Sequence, residues 1–557
     1  VRIFLKETLP VAGWLPKYSH SDLPRDLVAG VTMAFFLIPI SMAYASLANL
    51  PPQTGIYCSI FTGLLYFVFG TSRHLSIGPT SAISLIIGTT VTRLSGGDPG
   101  TALALASMTA MIMAVLFFVA WLVRLSSLVN FISDTILVGF KAGAALVIAS
   151  TQLPRLFGLN DHGGGFFNRL EFLIDHIGDT RPEVLVFGLI ALGLLVWGHY
   201  LFPNKPVSLI IVIASILVVT FTPLKESGVE LVGAIPSGIP SLRFPGVDPG
   251  TVHELTVLAM ACFLLAYVES ISAARALARK NGYEVNARQE LLALGAANLA
   301  ASVSNAYPVA GGLGQSTINE SSGARSPLAL VITSAVLVLC LLFLTRLFYN
   351  LPEVVLAIII LHAITGLINI KEMKHLYRVS RYEFRIMALT IITVLFFGIL
   401  DGVLIAILFS IAVLLSQTSS PHIAVLGRIK SSKRFSDMLR HPENKPVPGL
   451  LILRVEASIL YFNISYIHEH IREIIRNYPG RLHMVIIDLS SSNWVDISGA
   501  RFLVELEEEL EKKGIRYKVV EALGRVRDIL RAEGIEQEIG HISRKVNLED
   551  VVKTYLK

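Results

Sequence analysis

The chain has 557 residues, of which 53% are hydrophobic and only 16% charged, with a mean hydropathy of +0.63. Soluble domains carry about a quarter charged residues, so an ordinary water-soluble enzyme is excluded. The formal charge of +6 does not signal a nucleic-acid partner, because it is unevenly spread. Residues 450–557 hold 16 basic and 17 acidic side chains in 108 positions, whereas the 449 residues before them carry the other 55 charges. A membrane body is joined to a soluble tail.

The first 26 residues are polar and broken by prolines, unlike a cleavable signal peptide. Leu27 to Ser72 then runs for 46 residues without an Asp, Glu, Lys or Arg. At about 20 residues per span this predicts two membrane helices, broken at Asn49-Leu50-Pro51-Pro52. Further apolar runs lie at 101–123, 131–150, 184–202, 206–222, 254–274, 290–304, 326–345, 353–370, 386–400 and 402–419. Two shorter segments, 79–92 and 314–324, follow Gly/Pro-rich stretches and are too polar to face lipid. Together they predict about 14 crossings within 27–420. Asp401, between two apolar runs, is expected to mark a helix junction. Cys58, Cys262 and Cys340 sit in apolar runs with no metal-ligand or disulfide spacing.

Short loops on alternate sides differ in charge. Arg73, Arg124, Lys205, the group Arg275–Arg288 and the group Lys371–Arg385 lie on one side; loop 155–183 on the other mixes bases with acids. By the positive-inside rule both termini are expected in the cytoplasm. Residues 421–449 turn polar, with four prolines, and read as a linker. Strand-like runs at Leu450–Val455, Met484–Leu489 and Arg516–Val520 alternate with helix-like runs at Ser465–Arg476, Ser498–Lys513 and Gly524–Glu533, predicting a small α/β domain over 450–557.

The two short segments fall at matching places, the third and the tenth crossing. That is the pattern expected of two seven-span repeats of opposite topology, and broken helices at matching positions mark a transporter's binding site. There is no nucleotide-binding loop, which argues against ATP-driven transport.

Four stretches carry a resemblance: Gly70-Thr71-Ser72-Arg73-His74-Leu75-Ser76-Ile77-Gly78-Pro79; Glu269-Ser270-Ile271-Ser272 with Asn298; Gly312 to Asn319; and, in the tail, Asp488-Leu489-Ser490 followed by Asp496-Ile497-Ser498-Gly499. In this order they are similar to the SulP family of anion transporters, which includes sulfate permeases, with a C-terminal STAS domain. The resemblance implies a 14-helix fold of two inverted repeats. In it a core domain (helices 1–4 and 8–11) moves against a gate domain (5–7 and 12–14), usually in a homodimer.

An anion inside the membrane has lost water and needs donors in return. Two half-helices aiming their N-termini at one point supply unpaired N–H groups and about half a positive charge each. Pro79 suits a first helical turn, and Thr80 or Ser81 adds a hydroxyl. Gly311, Gly312 and Gly314 let backbone approach a ligand, and Gln315 and Ser316 offer side-chain donors. The alternative is that these glycines only permit close helix crossing. The resemblance places Ile40 and Tyr44 facing the site. Many relatives have Ser then Arg where this chain has Gly314 and Gln315, so the fixed cation expected for a dianion is missing. Sulfate, bicarbonate or a dicarboxylate all stay open as the substrate.

Glu269 follows 14 uncharged residues. An acid inside a span is costly and is read as functional; removed from water, a carboxyl can exchange protons near neutral pH. Glu269 is expected to bind the coupling ion, a proton before sodium, with no other cofactor and no metal; the alternative is a snorkelling or structurally hydrogen-bonded acid in an uncoupled transporter, an exchanger or a channel. Lys141 lies in another apolar run, where it either pairs with Glu269 or replaces the missing cation, or else snorkels to the membrane face. In the tail, Ser498 matches a residue phosphorylated in soluble relatives of the STAS fold. A helix N-cap is its simpler role, and a regulatory protein could dock there. The acidic helix 501–513 reads as a solvated face.

Overall fold

The structure, a computed structural model, describes residues 9–125, 134–159, 164–202, 205–225, 228–246, 248–534, 536 and 546–557. The chain forms two compact units, Val1–Ser410 and Ile411–Lys557.

In the first unit a single helical turn, Val11–Trp14, precedes α1 (Leu23–Leu47), α2 (Pro52–Phe69), α3 (Ser81–Ser95), α4 (Pro99–Leu122), α5 (Asp134–Leu156), α6 (Phe166–Asp175), α7 (Pro182–Leu201) and α8 (Val207–Phe221). The second half repeats the pattern with α9 (Val252–Asn281), α10 (Ala287–Val303), α11 (Leu313–Ser321), α12 (Leu328–Phe343), α13 (Glu353–Thr365), α14 (Ile370–Val379) and α15 (Arg381–Ser419). Gly398, at φ 83°, breaks α15 into two. The junction is therefore this glycine, which alone tolerates that backbone, and not Asp401.

By length and composition six helical stretches among the described residues qualify as spans. The shorter apolar helices α8 and α12, the small-residue helices α2 and α10, the half-spans α3 and α11 and the two parts of α15 complete the predicted set of about 14. Helix α14 does not belong to it. It is short, amphipathic and has no buried residue.

Helices α1–α4 pack with α9–α12, while α5 and α7 pack with α13. Small residues make the first group tight. A Cβ on Gly55 would overlap the Ser41 carbonyl oxygen, so only glycine allows α2 to cross α1 so closely. Many helices start at a proline in the first turn, where its missing N–H costs nothing. At α4, Asp98 adds a cap by accepting from Thr101 N at 2.7 Å.

The second unit is a five-stranded sheet with strand order β4-β3-β5-β6-β7: β3 (Ile423–Arg428), β4 (Phe435–Asp437), β5 (Leu450–Val455), β6 (Met484–Asp488) and β7 (Arg516–Val520). Here the expectation of a linker over 421–449 is corrected, since β3 and β4 lie inside it. The prolines and charges around Ile423-Ala424-Val425-Leu426 hide a short strand that pairs antiparallel with β5. Strands β5, β6 and β7 run parallel, as strand–helix alternation requires.

Alternate residues of β5 and β6 face opposite ways. Leu451, Leu453, Val485 and Ile487 pack under α16 (Ile464–Arg476), α17 (Ile497–Lys512) and α18 (Gly524–Ala532), while Leu450, Ile452, Met484 and Ile486 pack with α19 (Leu548–Leu556). The acidic face of α17 is not wholly solvated. Glu509 accepts from Arg472 on α16 and Lys513, each at 2.8 Å, and meets His468 at 3.0 Å. Those partners hold its carboxyl down at about 2, against the cost of burial. Helix α17 is capped by Asp496, whose Oδ1 accepts from Gly499 N at 2.7 Å. Ser498 is thus exposed in the first turn and is not the N-cap.

Candidate functional site

Two interruptions of the helical pattern build the site. After α2 the chain is extended through Gly70, and Pro79 bars helix at the residue before it. Between them lies β1 (Ile77–Gly78). After α10 the chain passes Asn305 at φ 51° and Pro308, then forms β2 (Ala310–Gly311). The two strands pair antiparallel, Ile77 with Gly311 and Gly78 with Ala310. This pairing sets the start of α3 beside the start of α11.

Side chains stitch the junction. Asn298 of α10 satisfies both backbone groups of Val309: Nδ2 donates to its carbonyl at 3.1 Å and Oδ1 accepts from its N–H at 3.0 Å. Ser270 accepts from Gly311 N at 2.7 Å. Ser316 accepts from Ser76 N at 2.9 Å and donates to the Gly312 carbonyl at 2.7 Å. Asn319 donates to the His74 carbonyl at 3.0 Å.

The expected residues gather here with changed roles. Pro79 lies outside α3, because Thr80 is the N-cap; its contribution is a carbonyl that accepts from Gln315 Nε2 at 2.7 Å. Ser316, fully buried with its hydroxyl committed at both ends, positions the strands and does not face a ligand. Ile40 is packed into the core. Gly311 is crowded, since its Cβ would meet the Leu75 side chain at 2.8 Å, whereas Gly314 opens on empty space. Gly312 is the N-cap of α11, and Thr80 Cγ2 would lie 3.5 Å from a Cβ placed on it. Tyr44 stands beside Ser81 and Glu269.

Several buried polar atoms have no hydrogen-bond partner, among them Thr80 Oγ1, Gln315 Oε1, Ser59 Oγ and Glu269 Oε2. Native proteins rarely leave such atoms unpaired in clusters, and these surround one place. A Cβ on Gly78 would lie 2.9 Å from Ser59 Oγ and 3.2 Å from Gln315 Oε1. Thr80 and Lys141 are the side chains that bear on the Glu269 carboxyl. Lys141 forms no ion pair with it within 4 Å. Gly139 and Gly143 on either side of Lys141 pack against Met387 and Val394 of α15, so by helical geometry Lys141 points away from α15. Lys141 lies within α5, which is described from Asp134 onward.

Two buried acids escaped the sequence reading, and they differ from Glu269. Glu290 accepts from Tyr66 Oη at 2.8 Å, Thr71 N at 2.8 Å and Thr71 Oγ1 at 2.5 Å. Asp26 accepts from Arg325 N, Ser326 N, Ser326 Oγ and Tyr18 Oη. Both are saturated and hold loops to helices. No local signal separates them from Glu269 in sequence, since their donors come from up to 300 residues away.

This arrangement of paired half-helices is that of a membrane carrier, and comparison with known proteins agrees. The pattern of the sulfate permease family matches residues 23–390, and that of the STAS domain matches 441–549. A probable sulfate transporter of Mycobacterium tuberculosis is 31% identical over 557 residues, covering 98% of this chain and 99% of its own. The chloroplastic sulfate transporter 4.1 of Arabidopsis thaliana is 31% identical over 570 residues, covering 98% and 82%. Among solved structures, the murine Solute Carrier 26 member A9 anion transporter, in its inward-facing state, superposes with a TM-score of 0.91 at 22% identity, covering 100% of this chain and 95% of its own. The transmembrane domain of the cyanobacterial bicarbonate transporter BicA gives 0.61 at 21% identity, covering 71% and 98%. The chain belongs to the sulfate permease family and ends in a STAS domain. It is a multi-pass membrane anion transporter and not an enzyme.

Proposed function

We propose that the chain is a secondary transporter that moves a small oxyanion together with a proton, the anion held between the starts of α3 and α11. The observation that carries this reading is Glu269: of the three acids described here inside the helical body, it alone has a buried oxygen with no partner. The anion meets the N–H groups of both helix starts and the hydroxyls of Thr80, Ser81 and Tyr44, while Glu269 takes the proton. Because β1–β2 pairing fixes the two starts to one body, α1–α4 with α9–α12 carry the load as a unit against α5, α7, α8, α13 and α15, in an elevator-like movement. The basic loops support cytoplasmic termini in an inner membrane, and a homodimer is expected from the family. Exposed Ser498 is offered as a phosphorylation site, and the STAS domain as the regulatory partner's dock.

Sulfate is the first substrate to test, on the named relatives. Bicarbonate is the second reading, favoured by Gln315, an uncharged residue where a dianion calls for a cation. Proteoliposomes loaded at high internal pH would be given labelled sulfate, bicarbonate or fumarate, with wild type and Glu269→Gln side by side. Proton-driven accumulation of one anion, lost by at least tenfold in the variant, is expected. Uptake independent of any gradient and equal in both proteins would refute the symport reading, and sodium dependence would replace the proton with sodium.

A further inference from the structure

Away from the half-helix starts, the segment Pro10–Asp22 lies over three connections of the helical body: Gly70–Arg73 after α2, Tyr283–Glu284 between α9 and α10, and Arg325–Pro327 between α11 and α12. They line a half-open cavity of about 560 Å³, within the size range of small-molecule sites. Its walls have two kinds of surface. Trp14, Tyr18 and Tyr283 offer aromatic faces, and Lys17, Arg73 and Arg325 offer cations.

None of these three cations forms an ion pair within 4 Å of an acid among the described residues; Arg73 instead lies over the Tyr283 ring at 5.3 Å. The two carboxylates on the rim are Asp22, which faces Arg25 at 3.9 Å, and Glu284. Trp14 is held edge-on by Tyr18 and Phe67, and its indole N–H is buried without an acceptor. A buried indole donor normally finds a partner. The wall beneath is rigid, because Asp26 joins Tyr18 to Arg325 N and Ser326.

We propose that this cavity is a regulatory site for a phosphate ester bearing a planar ring, with the ring against the aromatic walls and the phosphate on the cations. Guanidinium groups bind phosphate by paired hydrogen bonds and stack on planar groups. The site is wired to the transport centre by a short path. Arg73 adjoins His74, and Arg325 adjoins Ala324; the His74 ring meets the Ala324 carbonyl at 3.1 Å, joining the entry to α3 to the exit of α11. Occupancy is therefore expected to change the rate of uptake. This inference is independent of what Glu269 does.

Adenosine monophosphate serves as the probe, titrated calorimetrically into full-length protein in neutral-lipid nanodiscs, with adenosine and inorganic phosphate as comparisons. Saturable binding of the nucleotide is expected, at least tenfold tighter than either comparison and at least tenfold weaker in Arg325→Ala. Trp14→Phe is expected to remove the accompanying fluorescence change. Lys17→Ala, on the outer segment, tests the same cations should Arg325→Ala not fold. Absence of saturable binding to millimolar nucleotide, equal binding of adenosine, or unchanged affinity in a folded cation variant would each overturn the proposal.

Discussion

The starts of α3 and α11 face one another but are built differently. The first turns of α3 are buried on all sides, from Ser81 to Gly88, whereas α11 begins with exposed Leu313 and Gly314 and has a third exposed position at Thr317. Neither start has a side-chain cap. In the proposed site one is a wall and the other a reading face, so that reading has both meet the anion's charge and α11 sense its shape. Helix α17 of the STAS domain is the counterexample within the same chain. Its start is closed by Asp496, which also accepts from Tyr461 N at 2.8 Å.

The comparison can be broken most sharply at Gly314. Nothing lies within 4 Å of a Cβ there, so Gly314→Leu should leave the melting temperature unchanged while lowering anion uptake by about a hundredfold, through occlusion of the reading face. A variant that melts early would instead make Gly314 a packing residue. Next comes Gln315→Arg, which puts a cation where Oε1 now lacks a partner. The ratio of sulfate to bicarbonate uptake should rise about tenfold, one charge-assisted contact being worth roughly 1.5–3 kcal/mol; competition assays in proteoliposomes would read it. A falling ratio would mean that α11 does not sense charge.

Smaller effects separate wall from cap. Thr80 is an N-cap whose hydroxyl caps nothing, so Thr80→Ala should weaken anion affinity several-fold at nearly constant stability. Asp496→Ala has the opposite signature. It should cost the STAS domain about 1 kcal/mol, the usual value of a cap, without altering the anion KM. Thermal melts paired with uptake curves would distinguish the two, and a reversal of signatures would erase the distinction between open and closed helix starts.

The helical spans were legible in sequence because lipid demands long apolar runs, and the half-helices were legible from Gly78-Pro79 and Gly311-Gly312. Glu269 stood out for its isolation among apolar residues. What could not be read was commitment: whether a hydroxyl or amide is spent within the protein. Ser316 and Thr80 look alike as candidates, yet the first is saturated by Ser76 and Gly312 while the second makes no hydrogen bond within 3.5 Å and stands beside the Glu269 carboxyl. Glu290, placed near the start of an apolar run, gave no hint that Tyr66 and Thr71 enclose it. Strand β3 was missed because four apolar residues among prolines and charges carry too little pattern to outweigh their flanks.

The pairing of β1 with β2 also bears on how the protein is made. Pro79 and Gln315 are separated by 236 residues, so when the third segment leaves the ribosome the strand that will complete it has not been synthesised. At about 5–20 residues per second, Ile77 and Gly78 wait for tens of seconds with open backbone groups that hydrocarbon does not tolerate. The third segment therefore cannot settle in the bilayer as an independent insertion unit. It must be sheltered, by the translocation machinery or by water, until the second repeat arrives.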